Sequence, residues 1–234
     1  PNHMGVASSE NAWWRDVLEN GQSSPYAHYF DIDWYPVKAE LAGKVLLPVL
    51  GGQYGHVLEA GELKLEFTEG GFLIRYFGQT FPLDPRTTTE VLGHELELLR
   101  GELGAESPAL LEFESILTAL EHLPDCATTF PDAVAERRRE KEVIRRRLGV
   151  LASSEPSVAA AIARNVELFN GRVGEPETFD RLDQLLRRQP YRLSNWKAAA
   201  DEINYRRFFD INELAALCME DPDVFLHAHR LITE

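Results

Sequence analysis

Leu63-Lys64-Leu65-Glu66-Phe67-Thr68-Glu69-Gly70-Gly71-Phe72-Leu73-Ile74-Arg75-Tyr76-Phe77 decides the fold class. Its first five residues alternate apolar and polar, the period of a half-buried strand. Glu69-Gly70-Gly71 supplies hairpin turn chemistry, and Phe72 to Phe77 reads as the returning strand. Upstream, Lys44-Val45-Leu46-Leu47-Pro48-Val49-Leu50 is an apolar run stopped by Gly51-Gly52. It suits a buried strand, with Pro48 pointing to an edge or a bulge. Tyr54 to Ala60 suits one or two helical turns. Residues 44–83 therefore predict a small, mostly antiparallel sheet.

From Thr87 the pattern turns helical. Thr88 or Thr89 can cap a helix running through Arg100. Pro108 opens another, with Leu110, Phe113, Leu117 and Leu120 at helical spacing. A charged helix spans 133–148. A further helix runs from about Ser157 to Phe169 and stops at Asn170-Gly171, and another covers 176–189. The expected fold class is α+β: a small antiparallel sheet followed by a mainly helical region. Residues 1–36 show little periodicity apart from a short helix at Trp13 to Leu18, stopped by Asn20-Gly21. Long shaped loops of this kind are usually functional.

The formal net charge is −14, which argues against nucleic acid or an anionic membrane as a general partner. It is compatible with a neutral substrate. No apolar run reaches the length of a membrane span, and the first residues lack the zones of a signal peptide. Two cysteines, Cys126 and Cys218, are far apart and in no ligand spacing. They read as free thiols in a reducing compartment, the cytoplasm.

Other motifs are weak. Glu136 to Arg147 carries acid–base pairs three and four apart and predicts a solvated helix with intrahelical pairs. His94-Glu95-Leu96-Glu97-Leu98 lacks the second His of a zincin helix, and Gly51-Gly52-Gln53-Tyr54-Gly55 lacks the Lys-Ser/Thr of a phosphate loop. No metal site and no cofactor are expected.

Two segments mix aromatic faces with fixed polar groups. Tyr26-Ala27-His28-Tyr29-Phe30-Asp31-Ile32-Asp33-Trp34-Tyr35 suits a sugar, whose C–H faces pack on rings and whose hydroxyls bond to Asp and His. It equally suits an aromatic mini-core with capping aspartates. Asp201-Glu202-Ile203-Asn204-Tyr205-Arg206-Arg207-Phe208-Phe209-Asp210 places two arginines beside three carboxylates, either shaping a pocket or forming a structural ion-pair network.

These two segments, with Pro1-Asn2-His3-Met4-Gly5, Trp13 to Gly21, Lys44 to Gly51, Tyr54 to Leu63, Gln189 to Leu193 and Ala199 to Leu217, resemble the maltooligosyl trehalose synthase family of the α-amylase superfamily. The helical middle adds little to this resemblance. Departures are local: Cys218 where a basic residue is usual, Glu213 for Asp, and His56 where an acidic residue is frequent.

The resemblance implies a (β/α)₈-barrel enzyme of which this chain is the insertion between strands three and four. Residues 1–43 would be an active-site loop region, 44–86 a small β subdomain, 87–190 a helical insertion, and 191–234 a return segment. The barrel itself, and the catalytic Asp and Glu, are expected beyond this chain, which alone would be inactive. The whole enzyme would turn the reducing-end α-1,4 link of a maltooligosaccharide into an α,α-1,1 link by the retaining two-carboxylate route. Its partners would be the maltooligosaccharide and the remainder of the barrel enzyme. The expected substrate-binding residues are His3, Tyr26, Tyr29, Phe30, Asp31, Asp33, Tyr205, Arg206, Phe208, Phe209 and Asp210. Alternatives are a non-catalytic glucan-binding module and a helical interaction domain.

Overall fold

The first elements are a short strand, β1 (His3–Gly5), and a helix, α1 (Ala12–Asn20). The computed structural model describes residues 2–6, 11–198 and 202–233. The Asn11 side chain accepts the Trp14 amide at 3.1 Å and caps α1, satisfying a donor the helix leaves free. The helix stops at Gly21, whose φ of +56° is open to glycine. The chain continues through β2 (Val45–Leu50), α2 (Tyr54–Glu59), β3 (Leu63–Thr68), β4 (Gly71–Tyr76) and β5 (Gln79–Pro82).

The deciding hairpin forms as the alternation requires. Strands β3 and β4 pair antiparallel, with Leu65 opposite Ile74 and Phe67 opposite Phe72. The turn residues Glu69 and Gly70 both have positive φ, the backbone twist that joins two-residue hairpins. Strand β5 extends the meander.

Strand β2 does not join this sheet. It pairs in parallel with β6 (Tyr191–Asn195), Val45 opposite Tyr191 and Leu47 opposite Leu193. The reason is visible in its residues: Val45, Leu46, Leu47 and Leu50 are all buried, so both faces of the strand are covered, the usual condition of parallel pairing. Pro48 sits where the register shifts, as its missing donor requires.

The helical region comprises α3 (Thr89–Leu92), α4 (Leu96–Leu103), α5 (Pro108–His122), α6 (Pro131–Ser154), α7 (Pro156–Phe169) and α8 (Asp180–Arg187). The single helix expected from Thr88 to Arg100 is broken at Gly93, and Glu95 leaves helical geometry. Helices α6 and α7 are separated at Glu155, held extended by the proline that follows. At the hairpin tip, a Cβ on Gly70 would lie 2.0 Å from the Arg145 carbonyl oxygen. Only glycine lets the turn rest on α6.

The charged helix α6 differs from the expected solvated one. Arg137, Lys141, Ile144, Leu148 and Leu151 are buried, at spacings of four, three, four and three that make one stripe. The charged residues Arg137 and Lys141 continue the apolar face inward.

After β6 come β7 (Arg207–Phe208), β8 (Ile211–Ala216) and α9 (Pro222–Thr233). Strand β8 pairs antiparallel with both β1 and β7. Among the described residues there is no closed barrel; the architecture is α+β. One hydrophobic core joins α1, the meander, the helices and β6.

Candidate functional site

The loop at 26–35 lies along β8 and the 203–206 segment. Isolated antiparallel bridges link Phe30 to Leu217 and Ile32 to Tyr205. The Arg206 amide donates to the Asp31 carbonyl at 2.8 Å, and the Asp31 amide to the Ala216 carbonyl at 3.3 Å. Buried Asn204 closes the arrangement. Its Oδ1 accepts the Leu46 amide at 2.9 Å, and its Nδ2 donates to the carbonyls of Asp33 at 2.8 Å and Lys44 at 2.7 Å. Segments 171 residues apart in sequence are thus in direct contact.

This framework sorts the expected site residues by exposure. Phe30 is 2% exposed, and Tyr29 and Tyr205 are also buried. Trp14 meets Phe30 and Tyr205 edge-on at 4.9 and 5.3 Å. The Tyr205 hydroxyl donates to the Asn212 carbonyl at 2.8 Å, and the Tyr29 hydroxyl is 2.5 Å from His227 Nδ1. Half-buried Tyr26 stacks on Trp13. These rings pack together as an aromatic mini-core. Asp33 caps its own turn, Oδ1 accepting the Tyr35 amide at 3.0 Å.

A second group faces solvent. Asp31 and Arg206 are 3.6 Å apart, both exposed, a pairing that adds little stability. Phe208 and Phe209 are 40% and 80% exposed. Their rings meet at 4.7 Å, and the His3 ring meets Phe208 at 4.8 Å. Phe209 holds a φ of +50°, a costly conformation for a non-glycine residue that concentrates at functional positions. Asp210 pairs with Arg207 at 3.3 Å. The cluster expected around Asp201, Glu202 and Asp210 is divided differently: Glu202 pairs with Lys38 at 2.7 Å, Arg206 with Asp31, and Asp201 lies outside the described residues.

Two clefts of about 440 Å³ flank Tyr205. One is lined by Asp31, Asp33, Lys38, Glu202 and Arg206. The other is lined by Trp14, Arg15, Gln79, Trp196 and Glu213.

A buried ion network fixes α1 and the start of the loop to α6. Lys141 donates to Asp16 at 3.0 Å and Glu19 at 2.7 Å, and Arg145 also pairs with Glu19. Asp16 in turn accepts the Ser24 hydroxyl at 2.6 Å. Burial pushes the Glu19 carboxyl up, but Lys141 and Arg145 together outweigh it and hold it below its ordinary 4.5. The unfolded chain then binds a proton more readily than the folded one. Glu19 therefore contributes stability that is complete above pH 4.5 and is lost as pH falls through its lower folded value. Urea midpoints measured from neutral pH downward should fall in that window, and Glu19→Gln should flatten the slope there.

Asn204, Trp13 and Trp14 were not among the residues expected at the site. Asn204 sits inside a segment already marked out by its composition, but nothing local shows that its amide reaches two distant carbonyls. Arg137 and Lys141 continue the spacing of the Ile144, Leu148 and Leu151 stripe, but their charge made the segment read as solvated. Among the described residues no cluster of His, Cys, Asp and Glu is placed to hold a metal ion, and no helix is long and apolar enough to cross a membrane.

A similar fold occurs in a solved structure. A glycosyltrehalose synthase matches 100% of this chain and 20% of its own, with 21% identity and a TM-score of 0.50. Maltooligosyltrehalose synthase from Arthrobacter ramosus matches 99% of this chain and 18% of its own, with 26% identity and a TM-score of 0.49. No family model matches. In sequence, the chain is similar to proteins of Mycobacterium tuberculosis described as putative maltooligosyl trehalose synthase, 44% identical over 80 residues. That stretch is 30% of this chain and 10% of the relative.

Proposed function

We propose that this chain is part of a maltooligosyl trehalose synthase, an intramolecular transglycosylase that converts the reducing-end α-1,4 link of maltodextrins into an α,α-1,1 link. The observation that carries this reading is the 44% identity over 80 residues with the mycobacterial proteins. The catalytic carboxylates and the barrel belong to the remainder of the enzyme, which is this chain's principal partner. The segments 1–43, 87–190 and 191–234 keep the roles expected for them, while within 44–86 the antiparallel sheet is β3 to β5 and β2 pairs with β6. The free thiols Cys126 and Cys218 suit the cytoplasm.

In this reading the exposed group does the binding. His3, Phe208 and Phe209 offer ring faces to a pyranose, while Asp31, Arg206 and Asp210 offer hydrogen bonds to its hydroxyl rim. Tyr29, Phe30 and Tyr205 act from the core by holding both segments in place, with Tyr26 and Asp33 shaping the loop. The released glucose must stay, turn over and attack the glycosyl-enzyme before water does. An aromatic rim beside the sugar would serve that need. Both carboxylates on this face are engaged by arginines, Asp31 with Arg206 and Asp210 with Arg207. Neither is proposed as nucleophile or acid.

The isolated chain should therefore leave maltopentaose unchanged on long incubation, while the enzyme that contains it makes a non-reducing product. Chromatography distinguishes them. Any maltooligosyl trehalose formed by the isolated chain above a buffer blank would overturn the division of roles.

A further inference from the structure

A third pocket, of about 340 Å³, opens beside the parallel pair β2 and β6, lined by Glu40, Lys44, Tyr54, Arg187, Tyr191 and Arg192 together with Leu186 and Leu193. None of these residues belongs to the loop at 26–34 or the segment at 205–210. Its size falls within the ordinary range of small-molecule sites, about 300–1,000 Å³.

The charge balance of this pocket is opposite to that of the chain. The chain carries −14 overall, yet three cations converge here. Arg192 pairs with Glu40 at 2.8 Å and Arg187 with Asp183 at 2.8 Å. Lys44 has no carboxylate partner among the described residues; its ammonium donates to the Arg187 carbonyl at the end of α8. A helix end carries roughly half a negative charge, which leaves the half-buried ammonium incompletely balanced. Burial pushes Lys44 below its ordinary 10.5, and Arg192 and Arg187 push it further in the same direction. An uncompensated cation of this kind is costly to hold.

Tyr191 adds a second demand. Its side chain is fully buried, and its hydroxyl has no hydrogen-bond partner. Burial and neighbouring Tyr54 push this phenol up, so it remains a neutral donor. A buried donor without an acceptor costs about 1–3 kcal/mol. An oxyanion in this pocket would offset the first cost, and one that reached the Tyr191 hydroxyl would offset the second as well.

We propose that this pocket binds a small phosphate-type oxyanion, either free or as the monoester of a sugar, through Lys44 and Arg192, with the Tyr191 hydroxyl as the inner donor. The apolar side of the pocket, Leu186, Leu193 and the Tyr54 ring, leaves room for the group that carries the phosphate. This site is independent of the glucan face and of the enzyme assignment.

The test is isothermal titration calorimetry of the chain at pH 7 with inorganic phosphate and with a hexose 6-phosphate, ionic strength being held constant with chloride. The expected result is saturable binding with a dissociation constant of about 1 mM or tighter. Whichever probe saturates at the lower concentration identifies the source. Lys44→Met should weaken binding by about tenfold or more, as expected for a lost charge-assisted hydrogen bond. Tyr191→Phe should weaken it about threefold at a comparable melting temperature. If Lys44→Met fails to fold, Arg192→Gln at the exposed rim supplies the same readout. Absence of saturation up to about 20 mM would overturn the site. So would saturation unchanged by Lys44→Met and Arg192→Gln, which would place the anion elsewhere.

Discussion

Replacing Arg137 with alanine should lower the stability of the chain by about 3–5 kcal/mol, the cost of removing one partner from a buried ion pair. The side chain is 1% exposed. Its guanidinium donates to Asp84 at 2.6 Å, to Asn20 Oδ1 at 3.1 Å and to the Pro124 carbonyl at 2.6 Å. Asp84 is itself buried, and its backbone amide donates to the Gln189 side chain at 2.8 Å. Alanine would leave the Asp84 carboxylate without its cation. That carboxylate already helps burial push the Cys126 thiol up to about 12. Arg137→Ala should therefore loosen three connections at once: helix α6, the end of α1, and the 124–126 turn. Urea unfolding should show the loss as a lower midpoint at unchanged slope. Asp84→Asn in the Arg137→Ala background should recover part of it, because the stranded charge is gone. A loss below about 1 kcal/mol, the range of an exposed pair, would contradict this picture.

Asn204→Ala should cost about 3 kcal/mol and act at a particular place. The substitution removes three side-chain hydrogen bonds and strands the Leu46 amide with the Asp33 and Lys44 carbonyls. Each stranded buried group costs about 1–3 kcal/mol, partly relieved where water enters. The loop at 26–35 would remain tied through Ile32–Tyr205 and Arg206–Asp31, but its link to β2 would be lost. Amide hydrogen exchange should accelerate at Asp33 and Leu46 before it does in the β3–β4 hairpin. In the proposed synthase, transfer should fall more than overall stability does. Uniform acceleration across the chain would show that Asn204 serves general stability and does not hold the loop.

The β3–β4 hairpin was legible because its evidence is local: strand alternation and a turn that needs positive φ lie within fifteen residues. Helix α7 was legible for the same reason, ending at Asn170-Gly171 as its residues indicate. Strand β6 was not. Tyr191 to Asn195 is short and carries Arg192 and Ser194, and it becomes a strand because β2, buried on both faces, needs a partner. The parallel pairing is thus a long-range demand with no signature in β6 itself. The burial of Arg137 and Lys141 was concealed by composition, since a charge-rich segment reads as solvated until its partners, Asp16, Glu19 and Asp84, are brought to it from far upstream. At the candidate site the sequence singled out two segments that the fold brings together, but not which of their rings it buries. Phe30 and Phe209 are chemically alike; only the fold buries one under Trp14 and leaves the other at the β7–β8 turn.

The most direct measurement is the partition between transfer and hydrolysis in the proposed synthase that would contain this chain. With maltopentaose, free glucose reports water capture and the non-reducing product reports transfer. Arg206→Ala removes the partner of Asp31, and Phe209→Ala removes the most exposed ring of the face. Each should raise the glucose fraction and lower the transfer product by about tenfold, the loss expected when about 1.4 kcal/mol of discrimination against water disappears. Neither should shift the urea midpoint appreciably, since both side chains are exposed. An unchanged partition in both variants, with normal folding, would contradict the claim that this face guards the released glucose.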